Sequence, residues 1–158
     1  MLTIICVLNI IHHSIVEHFL GIIMRLYSFV NFYLSSIQQG IQTAHVVGEL
    51  SRSAHVNLFH VWAAHFKTII VLNGGNAKEL AIISAFLRQY MTEFPVASFS
   101  EDDASLGGIM TATGIIIPDY LWEEVDYFRK NECMTQDPER TDREQTLIRF
   151  IAQFPLAR

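Results

Sequence analysis

Ser35-Ser-Ile-Gln-Gln-Gly-Ile-Gln-Thr-Ala-His-Val-Val-Gly-Glu-Leu50 decides how this chain is read. A serine side chain at a helix start accepts a hydrogen bond from a free backbone N–H, so Ser35 or Ser36 is expected to cap a helix here. Ile37, Ile41, Ala44 and Gly48 then recur at helical spacing, as do Val47 and Leu50. Gly40 and Ala44 lie one turn apart, so this face is expected to approach a sheet closely. The run just before, Arg25 to Leu34, is rich in aromatic and β-branched residues, as strands are. The chain therefore opens strand–helix.

Downstream the same alternation continues. Val56 to Phe66 carries Val56, Phe59, Ala63 and Phe66 and predicts a short second helix. His55, His60 and His65 recur every five residues, and five residues turn a helix by about 140°, so the three point apart and cannot share a metal. Lys67 to Leu72 is a compact β-branched run, short enough for a buried strand. Asn73-Gly-Gly-Asn76 is turn chemistry, and Asn76 with Glu79 resembles a capping box. Leu80, Ile83, Phe86, Leu87 and Tyr90 follow as an amphipathic helix. That strand–turn–helix unit could hold an anion at the helix start, but it lacks the Gly-Lys-Ser/Thr ending of a phosphate loop.

Val96 to Phe99 predicts a short strand ending in the acidic triplet Glu101-Asp-Asp103. Ser105 to Gly108 turns the chain, and Ile109 to Ile117 is the last strand, stopped by Pro118. A helix from Tyr120 to about Lys130 follows, with Leu121, Val125 and Phe128 inward and Glu123 and Glu124 outward. Asn131 to Arg143 reads as a linker, and Thr141 with Glu144 caps a final helix whose Leu147, Ile151 and Phe154 share a face. The order is β-α-α-β-α-β-β-α plus a C-terminal helix. A strand–helix–strand start implies a parallel first pair with a right-handed crossover. The last two strands suggest a hairpin. The expected fold is α/β, a three-layer α/β/α arrangement around a four-stranded mixed sheet.

Bulk properties narrow the class. The chain has 158 residues, 51% of them apolar, and a net charge of -5, which fits one domain with a buried sheet. The negative balance argues against coating a nucleic acid, which needs clustered Lys and Arg, though it leaves room for a local basic patch. Cys6 and Cys133 form no Cys-x-x-Cys pair, so no zinc knuckle or redox motif is expected, and a reducing cytoplasm is the simplest setting.

Residues 1–23 are almost wholly apolar but are broken by Asn9, His12, His13, Ser14, Glu17 and His18. They lack the positive start and small-residue cleavage site of a secretory signal. The interruptions count against a membrane span, and the polar residues gather on no one helical face. The expectation is an apolar leader outside the domain, with Met24 as the natural start. A packed helix or a single membrane anchor is the alternative. No carboxylate or cysteine frames the leader's histidines at metal-ligand spacing. The domain is expected over 24–130, with linker and final helix over 131–158.

This order of elements, with Gln42-Thr-Ala-His45 on the first helix, resembles the type II peptidyl-tRNA hydrolases, whose first helix carries Gly-Lys-x-x-x-Gln-x-x-His. The family's third strand ends in an aspartate, and its fourth runs Thr-rich into a proline. Phe99 to Asp103 and Met110 to Pro118 are similar. The likeness covers roughly Arg25 to Lys130. Leu34-Ser-Ser-Ile-Gln-Gln-Gly-Ile-Gln42 also looks like uncharacterised phage-encoded proteins of this type. Two departures stand out. The family's lysine falls at Gln38, and its Asp-Ala-Gly-Arg-Thr-Gln loop is replaced by the shorter Glu-Asp-Asp-Ala-Ser-Leu-Gly-Gly.

The resemblance implies hydrolysis of the ester joining peptide to tRNA. That reaction needs a placed water, a group to polarise it and charge to steady the oxyanion. By the resemblance Asp102 or Asp103 orients the water, Gln42 and His45 face it, and Gln38 stands where a lysine supplies charge. A neutral amide donates a hydrogen bond but cannot supply that charge. The resemblance also implies a homodimer, with tRNA or peptidyl-tRNA as partner and no cofactor or metal. The alternative is a non-catalytic phage-type module that kept the fold, lost the lysine and binds a protein partner. In that case Gln42 and His45 only fix the helix on the sheet, and Glu101 to Asp103 is a solvated loop.

Overall fold

The computed structural model of the chain describes residues 23–90, 92–133 and 140–157. Apart from Ile23, the apolar leader with Cys6 lies outside them, as do residues 134–139 of the expected linker. Strand β1 (Met24–Val30) is followed by α1 (Ser36–Leu50), α2 (Val56–His65), β2 (Thr68–Asn73), α3 (Ala77–Tyr90), β3 (Val96–Ser100), the single turn α4 (Asp103–Leu106), β4 (Met110–Pro118), α5 (Asp119–Asn131) and α6 (Asp142–Ala152). The sheet runs β2-β1-β4-β3. β1 and β2 are parallel, with Leu26 beside Ile69, and β4 is antiparallel to both β1 and β3. The expected mixed sheet, parallel first pair and closing hairpin are all present.

Side chains alternate across the two central strands and build two cores. Tyr27, Phe29, Ile115 and Ile117 meet Leu80, Ile83, Leu121, Val125, Leu147 and Ile151 from α3, α5 and α6. Leu26, Val30, Ala112 and Ile116 meet Val46, Leu50, Phe59 and Trp62 from α1 and α2. This is the three-layer α/β/α arrangement. Phe154, just past α6, packs edge-on against Phe29 at 5.0 Å between ring centres. Beyond it the chain crosses the outer edge of β2, where the Asn73 N–H donates to the Pro155 carbonyl and the Ala157 N–H to the Val71 carbonyl. Among the described residues no helix is long and apolar enough to cross a membrane.

Several local expectations are corrected. β1 stops at Val30, and Asn31 to Leu34 is a turn in which the Asn31 side chain accepts from the Tyr33 N–H, leaving Phe32 and Tyr33 exposed. β2 is an edge strand, so of its residues only Leu72 is fully buried. Glu124 is buried rather than outward. The inner face of α1 is not the expected one. Gln39, Gln42, Thr43, Val46 and Leu50 are buried, while Ile37, Gly40, Ile41, Ala44 and Gly48 are exposed.

The small residues that allow α1 to come close therefore sit on the sheet. Ser28, Gly114 and Ala97 lie side by side across β1, β4 and β3. The Ser28 hydroxyl is 3.0 Å from that of Thr43. A Cβ on Gly114 would stand 2.9 Å from both the Tyr27 carbonyl oxygen and Val46 Cγ1. Gly114→Ala is expected to destabilise by about 1–3 kcal/mol, the usual cost of overfilling a tight core, as read from the urea midpoint.

Alkaline pH probes the opposite core. Burial, followed by the nearby Asp126 carboxylate, pushes the Tyr27 phenol up from 10.0 to about 12, against the opposing pull of Arg129 and Arg25. Between those values the unfolded chain gives up a proton that the native one keeps. Stability is thus unaffected below pH 10 and falls through pH 10–12, by at most about 1.4 kcal/mol per pH unit. Tyr27→Phe is expected to flatten that slope in denaturant titrations. Tyr120, also raised by burial, accounts for a remainder.

Candidate functional site

The first turns of α1 and the turn after β3 meet at one end of the sheet. Each helical residue involved has a strand partner. Gln42 is 6% exposed, and its Nε2 donates to Glu101 Oε1 at 2.7 Å. Its Oε1 accepts from the fully buried Thr111 hydroxyl, also at 2.7 Å. One turn further along α1, the exposed His45 ring lies flat on Phe99, with centres 4.2 Å apart and planes 12° from parallel.

The sheet is built to supply Thr111. Pairing between β3 and β4 steps from Phe99–Ala112 to Ser100–Met110, so Thr111 has no partner on β3. A bulge of this kind turns the extra side chain toward the face of its neighbour. Ala112 faces the α1 core, and Thr111 consequently reaches Gln42 on that same side. Only the Gln42 oxygen can accept from the Thr111 O–H at this position. That leaves the amide NH2 directed at Glu101, where a donor to a carboxylate is worth most.

The other expected site residues are placed differently. Gln38 is committed to the start of its own helix: its Oε1 accepts from the Ser35 N–H and hydroxyl, at 3.0 and 2.9 Å, while Ser35 Oγ accepts from the Gln38 N–H. It is a capping residue here. Asp102 and Asp103 are exposed. Asp103 opens α4, and its Oδ1 lies 2.7 Å from where a Cβ on Gly108 would be, so the φ of +70° at Gly108 is matched by a side chain that needs the space. The carboxylate joined to α1 is that of Glu101. Period two from Phe99 along β3 was the available signal, since Phe99 and Glu101 fall on the same side.

The electrostatic character of this end is acidic. Ser35 to Leu50 and Phe99 to Gly108 contain no lysine or arginine, and the second stretch holds three carboxylates. Among the described residues no three histidine, cysteine or carboxylate side chains converge as metal ligands. His60 and His65 are exposed, and His55 bonds the Thr92 carbonyl. The turn before α3 is closed by its own side chains. Asn76 Oδ1 accepts from the Lys78 and Glu79 N–H groups, and Glu79 Oε2 accepts from the Asn76 N–H, so these donors at the helix start are already used.

Thr111→Val keeps the shape and removes the hydroxyl that holds the Gln42 amide. It is expected to cost about 1–3 kcal/mol, the penalty for a buried acceptor left without its donor, whereas Thr111→Ser retains most of the stability. Urea denaturation of the two variants makes the comparison. In comparisons with known proteins, no protein-family model matches this chain, and no curated protein matches it either.

Proposed function

We propose that the chain is a peptidyl-tRNA hydrolase-like protein that hydrolyses the ester between a peptide and tRNA, with Glu101 as the working carboxylate. The observation that carries this reading is the 2.7 Å bond from Gln42 to Glu101. It occupies one carboxylate oxygen and orients the group, leaving the second oxygen to accept from a water. In this reading the water attacks the ester carbonyl carbon, Glu101 takes its proton, and the released 3′ oxygen of the tRNA is protonated in turn. His45, exposed one turn away, supplies the donor toward the developing oxyanion. A cytoplasmic setting and pairing of two copies belong to the same reading.

A second reading, a non-catalytic phage-type module that binds a protein partner, is favoured by two facts. Gln38 is spent on the helix cap. The outer face of α1 and the turn before it carry Phe32, Tyr33, Ile37 and Ile41 into solvent.

Incubation with a labelled peptidyl-tRNA separates the two. Release above a blank is expected for the native chain, with a loss of about a hundredfold or more in Glu101→Gln, the usual contribution of a positioned base. An Asp102→Asn/Asp103→Asn double variant is expected to retain most of the release. If the native chain releases nothing and a pull-down recovers a stable partner, the hydrolase reading falls and the binding module stands.

A further inference from the structure

We infer that the His45 ring, backed by Phe99, is a stacking platform for a planar nucleobase of the ligand, the base of the nucleotide that carries the acyl group. The inference rests on the hydrolase reading for the identity of that ligand, but its geometry stands independently. One face of the imidazole is covered by Phe99 at 4.2 Å, yet the residue is exposed. The exposed surface of the residue therefore lies away from the ring face that Phe99 covers. A flat ring already stacked on one side is held in a fixed plane, so a third ring can join it with little further loss of freedom.

The position on α1 is suited to such a ligand. Ile41, four residues before His45 and 49% exposed, shares its helical side and offers an apolar rest beside the ring. Glu101 lies two residues beyond Phe99, just past the end of β3, about 7 Å away if the rise of a strand continues. Gln42 lies three residues before His45, about 4.5 Å along the helix. The platform and the carboxylate are adjacent rungs of one ladder between α1 and β3.

The acidic surroundings set a signature for this mode. Ordinary RNA binding weakens steeply with salt because cations on the protein neutralise phosphates. Here the neighbouring groups are carboxylates, which repel phosphate and are screened by added salt. Binding through the base alone is expected to hold level or tighten as salt rises.

The probe is a single-stranded trinucleotide, cytidine-cytidine-2-aminopurine riboside, whose fluorescence falls when its terminal base stacks. Titration of the full chain is expected to give saturable quenching. His45→Ala is expected to weaken it by roughly tenfold or more, in the range of base–aromatic stacking, while His45→Phe retains it. His45 is a surface residue, and matching urea midpoints for the variants verify that each is folded. AMP is expected to displace the probe and N-acetyltyrosinamide to leave it in place. Equal quenching by the native chain and His45→Ala, no quenching by the native chain, or displacement by N-acetyltyrosinamide but not by AMP would each overturn the inference. Because the readout is binding, quenching without peptide release sinks the hydrolase reading alone, and release without His45-dependent quenching sinks the platform alone.

Discussion

The side chain of Gln42 joins three elements that are distant in the chain. Its amide accepts from Thr111 on β4 and donates to Glu101 past the end of β3, from a helix that precedes both strands. A buried primary amide is costly unless its polar atoms are paired, and here both the oxygen and one N–H are. The pairing is directional. A flipped amide would set NH2 against Thr111 and oxygen against a carboxylate, a repulsive contact between two acceptors. The bulge in β4 thus determines which way the helix addresses the acidic turn, and α1 is locked in rotation as well as in position.

This constraint explains why α1 wears its apolar residues outward. Periodicity reads Ile37, Ile41, Ala44 and Gly48 as the inner stripe, because burial normally follows hydrophobicity. Over the first half of the helix the sheet beneath offers hydroxyls instead, from Ser28 and Thr111, and these select Thr43 and Gln42. Only the second half, with Val46 and Leu50, returns to an apolar contact. The helix is rotated to satisfy polar groups at one end and to fill the core at the other. Ile37 and Ile41 are left in solvent as the consequence.

Elements and their order were legible because capping and turn residues punctuate the chain. Ser35, Asn76 and Thr141 each begin a helix with a side-chain cap, as the serine pair at 35–36 and the glutamates three residues beyond Asn76 and Thr141 suggested. The parallel first pair and the closing hairpin followed from connection length, while the antiparallel pairing of β1 with β4 did not. The site was legible in part. Gln42 and His45 do stand beside the acidic turn, but the partner carboxylate is Glu101 rather than Asp102 or Asp103. That choice depends on strand parity at the edge of β3, and Thr111 depends on a register shift that no local propensity encodes. Phe32 and Tyr33 misled for a related reason. Aromatic residues favour strands, but Asn31 offers its side chain to the following backbone and turns the chain before they can pair.

Gln38, at the position where the resemblance expects a lysine, has a physical reading of its own. A lysine there could not accept from the Ser35 N–H and hydroxyl, so the capping box that starts α1 requires a side chain with an acceptor. Helix initiation and a positive charge at this position are alternatives, and this chain has taken the former. Under the proposed function, electrostatic help at Glu101 must then come from hydrogen-bond donors, His45 and Gln42 among them. Such donors stabilise an oxyanion but do little to attract phosphate. In the proposed function, that balance shifts recognition from the charged backbone of a nucleic acid to its uncharged rings, and so places more weight on the flat surface that His45 and Phe99 make together.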